Sequence, residues 1–326
     1  MKKFGVILLI AVLVMMTACG EKTNRDVSQN ETLENESVCE NTYTFTDDLG
    51  REVTVNNPQR VAALLGSFAD MWVLAGGSVQ ASADDAWEDF ELTMPEDAIN
   101  LGKTKSISLE KLFEAEPDFI MASTNTRVHM EWKETLEQSG IPTAYFDVAD
   151  FDDYLRVLKI CTDITGREDL YKQNGLDIQS QIQAVLEKSD ERTNIYGIPK
   201  ILIVRASAGM VVAKNSKDNV LGEMLKSLGC ENITDQDDSL LDNLSIEHIL
   251  QEDPDYIFMI QVGDDKQAVE EQFNHYIMEN PAWKELTAVK EGRVYNMDKA
   301  LYNLKPNDRW GEAYEKLEII LSEGEK

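Results

Sequence analysis

Between Tyr43 and Val55 apolar and polar residues alternate on both sides of Asp48-Leu-Gly50, the period-2 signature of a β-hairpin. After Pro58-Gln-Arg-Val61 the pattern becomes a short apolar run, Val61–Leu65, broken by Gly66-Ser-Phe68 and followed by a helical stretch, Ala69–Leu74. The same order continues downstream. Strands are predicted at Phe119–Ala122 and Thr143–Phe146, and helices at Met130–Gln138 and Tyr154–Thr165. Strand, turn and helix in regular succession imply a parallel sheet with crossover helices. From Glu168 to Lys188, Leu176, Ile178, Ile182, Val185 and Leu186 recur at helical spacing, and Gly175 is the weak point. Such a helix would be about 30 Å long at 1.5 Å per residue. Beyond it come strands at Lys200–Val204, Tyr256–Ile260 and Val294–Met297. An amphipathic helix from Asn219 ends at Gly229, and a closing helix runs Arg309–Leu321.

One stretch occurs twice. Ser108-Leu-Glu-Lys-Leu-Phe-Glu-Ala-Glu-Pro-Asp-Phe-Ile-Met-Ala122 returns 137 positions later as Ser245-Ile-Glu-His-Ile-Leu-Gln-Glu-Asp-Pro-Asp-Tyr-Ile-Phe-Met259. Ser108 and Ser245 are placed to cap a short helix, with Glu110 and Glu247 in its first turn, where a carboxylate meets the positive end of the helix dipole. Pro117 or Pro254 ends the helix and a buried strand follows. A single helix–Pro-Asp–strand joint is ordinary in an α/β protein. Two at matched places imply two lobes on one plan.

The first residues read as an address. Lys2 and Lys3 precede an apolar run from Phe4 to Met16, too short for a comfortable bilayer span and laid out as a secretory signal. Met16-Thr-Ala-Cys19 resembles the bacterial lipobox, which implies lipidation of Cys19 after removal of residues 1–18. The polar segment to residue 42 cannot bury enough apolar surface to offset its ordering entropy, so it reads as a disordered tether. The expected organisation is signal peptide 1–18, tether 19–42, first lobe 43–166, connecting helix 167–190 and second lobe 191–326.

Charge narrows the partners. Sixty acidic against 31 basic residues give a formal net charge of −29, which argues against nucleic acid. A local basic cleft can still oppose the global sign. Four cysteines (Cys19, Cys39, Cys161, Cys230) have no metal-type spacing, and no pairing follows from their positions. His129, His248 and His275 are scattered without zinc-site spacing, and no phosphate loop, nucleophile elbow or nucleotide fingerprint occurs.

Thr46-Asp-Asp-Leu-Gly-Arg51, Pro58-Gln-Arg-Val61, Ser108-Leu-Glu110 with Glu116-Pro-Asp118, and then Asn280-Pro-Ala-Trp-Lys-Glu-Leu286 together resemble the iron-siderophore, cobalamin and haem binding proteins. These are the cluster A, helix-linked substrate-binding components of ABC importers. The resemblance covers essentially everything after the tether. It implies two Rossmann-like α/β lobes joined by a single long helix, the class III arrangement, with no catalytic role and no resident cofactor or metal. It further implies a monomer held at the outer face of the cell membrane by its lipid, whose partners are a permease dimer with ATPase subunits and a small metal chelate. Glu110 and Glu247 would then dock to the permease, one per lobe.

For the ligand, open parallel sheets bind at the carboxyl ends of their strands. Those positions hold Ser67 and Phe68, Thr124, Asn125 and Arg127, then Arg205 and Ser207, then Tyr302, Lys305, Arg309 and Trp310, with Trp87 as a further aromatic wall. Arginines from separate segments suit an anionic, oxygen-rich ligand such as a ferric siderophore. Taken singly, an arginine is more often a solvated or ion-paired surface residue. A corrinoid or haem, the latter ligated through Tyr302, His129 or a methionine, is the alternative within the class. A sensor or enzyme lipoprotein on a similar frame is the alternative outside it.

Overall fold

The computed structural model describes residues 42–324 apart from 218, 237–244, 264–265 and 280, and omits the side chains at 266, 276 and 278. The expected signal peptide, Cys19, Cys39 and nearly all of the tether lie outside the described residues. Among the described residues no helix is long and apolar enough to cross a membrane.

The predicted hairpin forms from β1 (Thr42–Thr46) and β2 (Glu52–Asn56), with Thr42 opposite Asn56 and Thr46 opposite Glu52. Asp47 builds its turn. Its carboxylate accepts the N–H groups of Leu49 at 3.1 Å and Arg51 at 3.0 Å, reaches Tyr145 N–H at 3.2 Å, and pairs with the Arg51 guanidinium. Burial opposes ionisation of Asp47, but these donors win and hold its carboxyl below the usual range.

In the first lobe β3 (Val61–Ala63), β4 (Val79–Ser82), β5 (Ile99–Asn100), β6 (Phe119–Ser123) and β7 (Thr143–Phe146) form a parallel sheet in the order β5-β4-β3-β6-β7. In the second lobe β8 (Lys200–Ala206), β10 (Glu231–Asn232), β11 (Tyr256–Gln261) and β12 (Val294–Met297) run parallel in the order β10-β8-β11-β12. β9 (Val211–Lys214) adds antiparallel to the far half of β8. Both strand orders reverse once, between β3 and β6 and between β8 and β11. A crevice opens at the carboxyl ends of such a pair, because the connections leave in opposite directions.

The repeat explains how the two sheets begin alike. Asp118 accepts the N–H groups of Gln59 and Arg60 at 2.7 and 2.9 Å, and its own N–H returns to Arg60 O at 2.9 Å. Asp255 does the same to Lys200, accepting its N–H at 2.8 Å and donating to its carbonyl at 2.8 Å. Each Pro-Asp thus fastens the central strand of its sheet. Glu116 and Asp253, before the two prolines, take left-handed φ values of 46° and 42°. The caps differ: Ser108 accepts Lys111 N–H at 3.3 Å, whereas Ser245 holds the cap position without a side-chain cap bond.

The helix read as starting at Glu168 runs to Tyr196, as a short α-turn (Glu168–Tyr171), a π-turn (Lys172–Leu176) and a 20-residue α-helix (Asp177–Tyr196). Gly175 lies in the π-turn and packs against Leu155, whose Cδ1 would stand 2.7 Å from a Cβ at that position. The turn is tied to the first lobe by Tyr154 O–H to Asn174 O at 2.8 Å and Asn174 Nδ2 to Leu74 O at 2.8 Å. The far end is tied to the second lobe. Ser189 Oγ and Arg192 Nη2 both donate to Leu228 O, at 2.6 and 2.9 Å, and Arg192 Nε lies 3.1 Å from Glu318 Oε1 on the closing helix (Trp310–Glu323). One apolar core passes from Phe119 and Phe146 through Ile178, Ile182 and Val185 to Tyr256 and Leu317.

Four expectations change here. The helix predicted at Met130–Gln138 is two, Arg127–Glu131 and Lys133–Ser139. Phe68 is fully buried edge-on to Phe146, and Tyr302 is 2% exposed with its O–H given to Ala313 O at 3.0 Å. Both belong to the core rather than to a ligand, as does fully buried Trp310.

A second polar link joins the lobes. Asn307, fully buried and left-handed at φ 49°, donates from Nδ2 to Ser67 O at 2.9 Å and Asp70 Oδ2 at 2.7 Å. Burial and neighbouring Asp308 raise the Asp70 pKa to about 6, although the Asn307 bond lowers it.

Two predictions follow from these links. Arg192→Ala or Glu318→Ala should lower unfolding free energy by about 3–5 kcal/mol, since each strands a buried charge, while the double replacement by leucine costs far less. Denaturant midpoints measure both. The native state of Asp70 binds its proton more tightly than the unfolded chain, so its contribution favours folding below the unfolded value of 3.8 and is lost as pH rises through about 6. Asp70→Asn, which keeps an acceptor for Asn307, should therefore be the more stable form at pH 7.5 by about 1–2 kcal/mol and lose that advantage near pH 4. Urea unfolding at the two pH values reads the difference.

Candidate functional site

Both strand-order reversals open on one cleft. Its larger compartment has a volume of about 740 Å³, and an adjoining one of about 510 Å³ shares Asn125, Arg205, Asn303 and Lys305 with it. From the first lobe, Leu65 and Ser67 follow β3, and Asn125 to Val128 follow β6. From the second, Arg205 ends β8, Val262 and Gly263 follow β11, and Lys299 with Asn303–Lys305 follows β12.

Cations meet where the compartments join. Arg205 Nε is enclosed and has no hydrogen-bond partner among the described residues. Lys305 makes no ion pair or hydrogen bond among them either; burial lowers the pKa of its ammonium, opposed by Asp147 and Asp153. Arg127 stands at the mouth, its side chain 90% exposed and only 3.6 Å from Glu131, a contact solvent weakens further. Asn125 is fixed beside them by its Nδ2 to Asp147 Oδ1 bond at 2.5 Å and its N–H to Ser123 Oγ bond at 3.1 Å.

The opposite wall is acidic. Asp84, Asp85, Glu88 and Asp89 all line the larger compartment. Asp89 is answered across the cleft by Lys299, whose Nζ lies 2.7 and 2.8 Å from its two carboxylate oxygens. Asp85 is buried and accepts Gly66 N–H at 2.9 Å. Burial raises its pKa to about 6, and the charges of Asp84 and Asp89 add to the rise. Gly66 is needed for this approach, because a Cβ there would sit 2.6 Å from Ala86 N.

Of the residues expected at the ligand, the fold brings together Ser67, Asn125, Arg127, Arg205 and Lys305. It takes others elsewhere. Ser207 closes the β8–β9 turn against Met210, Arg309 is paired with Glu312 at 2.7 Å, and Trp87 packs partly buried against the core. His129 is fully buried, accepts Ser123 N–H on Nδ1 at 3.1 Å, and is pushed down to a pKa of about 4 by burial, so it supports the β6 end instead of facing a ligand. Lys299, Asp85 and Asp89 were missed. They sit in one-turn helices, Asp85–Glu88 and Lys299–Tyr302, or just after one, too short to carry a periodic pattern. Glu110 and Glu247 are exposed in the first turns of equivalent helices, Leu109–Glu114 and Ile246–Glu252. Cys161 and Cys230 are free, buried thiols whose pKa values burial pushes up.

Known proteins match this architecture. The Fe(3+)-citrate-binding protein YfmC of Bacillus subtilis (strain 168) is 26% identical over 301 residues, covering 89% of this chain and 90% of that protein. The structure of Staphylococcus aureus SirA complexed with staphyloferrin B superposes with a TM-score of 0.64 at 21% identity, over 86% of this chain and 98% of that one. S. aureus IsdE complexed with heme gives 0.65 at 17% identity, over 80% and 98%. The family description of periplasmic binding proteins matches residues 61–301, from the first strand of one sheet to the helix after the last strand of the other. With two parallel sheets, a joining helix and a cleft at both strand-order reversals, the chain belongs to the periplasmic binding protein family.

Proposed function

We propose that this chain is the extracytoplasmic solute-binding component of an ABC importer, anchored through Cys19, that captures a ferric siderophore or related anionic ferric chelate between its lobes and delivers it to a permease. The observation that carries the ligand class is the pair Arg205 and Lys305, which have no hydrogen-bond or ion-pair partner among the described residues where the two compartments meet, in a chain whose formal net charge is −29. Enclosed cations in so acidic a protein are costly unless an anion answers them. The naming of YfmC for ferric citrate and the staphyloferrin B bound in SirA support an iron chelate.

Haem is the second reading, favoured by the likeness to IsdE. Against it, no His, Met, Tyr or Cys is among the described residues lining either compartment, so the walls offer no usual axial ligand. A chelate that saturates its own iron needs none.

Glu110 and Glu247 are the docking carboxylates, exposed at equivalent helix starts, one on each lobe. Charge pairs of this kind set register and encounter rate at an interface.

Tryptophan-fluorescence titration tests the ligand class. Ferric citrate should bind, and Arg205→Ala or Lys305→Ala should weaken it about tenfold to a hundredfold, the loss of a charge-assisted bond of about 1.5–3 kcal/mol. Saturable haem binding with no response to ferric citrate or to a panel of ferric siderophores would reverse the assignment. For docking, the double variant Glu110→Lys/Glu247→Lys should abolish iron uptake by cells while ligand affinity stays within about twofold. Unchanged uptake would sink the docking role.

A further inference from the structure

The polar links between the two lobes differ in how hard they are to break. At the floor of the cleft Asn307, fully buried, donates from Nδ2 to Ser67 O at 2.9 Å and to Asp70 Oδ2 at 2.7 Å. Close to it in sequence, fully buried Trp310 meets Phe151 of the first lobe edge-on, with 6.1 Å between ring centroids. Parting the lobes there strands an enclosed amide, carbonyl and carboxylate away from water, which is strongly opposed.

The second link is of another kind. Lys299, on the second lobe, places Nζ at 2.7 and 2.8 Å from the two carboxylate oxygens of Asp89 on the first. Both residues line the larger compartment, Asp89 just after the helix Asp85–Glu88 and Lys299 at the start of the helix Lys299–Tyr302. Their side chains are 27% and 43% exposed, so the pair bridges the compartment from wall to wall at a place open to water. Among the described residues neither side chain has a further hydrogen bond or ion pair within its own lobe to hold the bridge shut. Water can take up both charges as the pair parts. Exposed pairs of this kind favour the closed arrangement by only about twofold to fivefold.

We propose that Lys299 and Asp89 form a clasp across the larger compartment, which parts and re-forms to let the ligand in and out while the lobes stay joined at the floor and along the connecting helix. Opening is concentrated at the clasp because the Asn307 link and the bonds of Arg192 are enclosed and this pair is not. The inference rests on the reading of the cleft as the ligand site, and does not depend on which chelate occupies it.

The test is the exchange of ferric citrate, followed by stopped-flow tryptophan fluorescence with citrate in excess over iron. Two double variants keep the net charge of the chain, so the long-range steering of an anion is the same in both. Asp89→Ala/Lys299→Ala removes the clasp and should raise the association and dissociation rate constants together, by about twofold to fivefold, with Kd held within about twofold. Asp89→Lys/Lys299→Asp reverses the pair and should bring both rate constants back to within about 1.5-fold of wild type. Rate constants unmoved by the first variant, or left raised by the second, would overturn the proposal. So would a change of Kd carried by one rate constant alone, the signature of side chains that touch the ligand instead of each other. Should ferric citrate fail to bind, ferric siderophores and haem take its place in the same measurement. If none of them binds, the cleft reading itself falls and this inference with it.

Discussion

The helix from Glu168 to Tyr196 is fastened at both ends by buried polar bonds as well as by apolar packing. At its start Asn174 O accepts the Tyr154 O–H and Asn174 Nδ2 donates to Leu74 O, both in the first lobe; at its end Ser189 and Arg192 converge on Leu228 O, and Arg192 meets Glu318. An unpaired polar group in such places costs free energy that packing alone cannot return. The sliding of either lobe along the helix therefore means breaking enclosed bonds. Asn307, spanning from the second lobe to Ser67 O and Asp70, does for the floor of the cleft what Arg192 does for its back.

Much of this architecture was legible. Alternation gave the hairpin, apolar runs gave β3, β6, β7, β8, β11 and β12 within a residue or two, and the repeat announced the two-lobed plan. The repeat was informative because its letters have separate tasks: Asp118 and Asp255 fasten the central strands, and Glu116 and Asp253 take the left-handed turn before proline. The short strands β4, β5 and β9 were not legible. β5 has two residues, and β9 exists only because it pairs with the far half of β8, a tertiary choice.

The site was legible in part, for a geometric reason. Strand-end position says that a residue is near the cleft; it does not say which way the side chain leaves the backbone. Ser67 faces the cavity while the adjacent Phe68 turns into the core, and Lys305 faces it while Tyr302, three residues earlier, gives its hydroxyl to Ala313. The acidic wall was hidden further, because it is assembled from a segment too short to carry a period, and because Lys299 reaches Asp89 over 210 positions of sequence. Contacts of that span are set by how the lobes meet.

What emerges is a cleft in which charge is placed against the sign of the whole chain at its centre and with that sign at its outer wall. The arrangement depends on the centre. The measurement that bears on it most directly is a crystal structure of the protein loaded with ferric citrate, with iron located by its anomalous scattering. Iron is expected at the junction of the two compartments, with citrate carboxylates on Arg205 and Lys305. Iron held elsewhere, with both side chains still without an anionic partner, would contradict it.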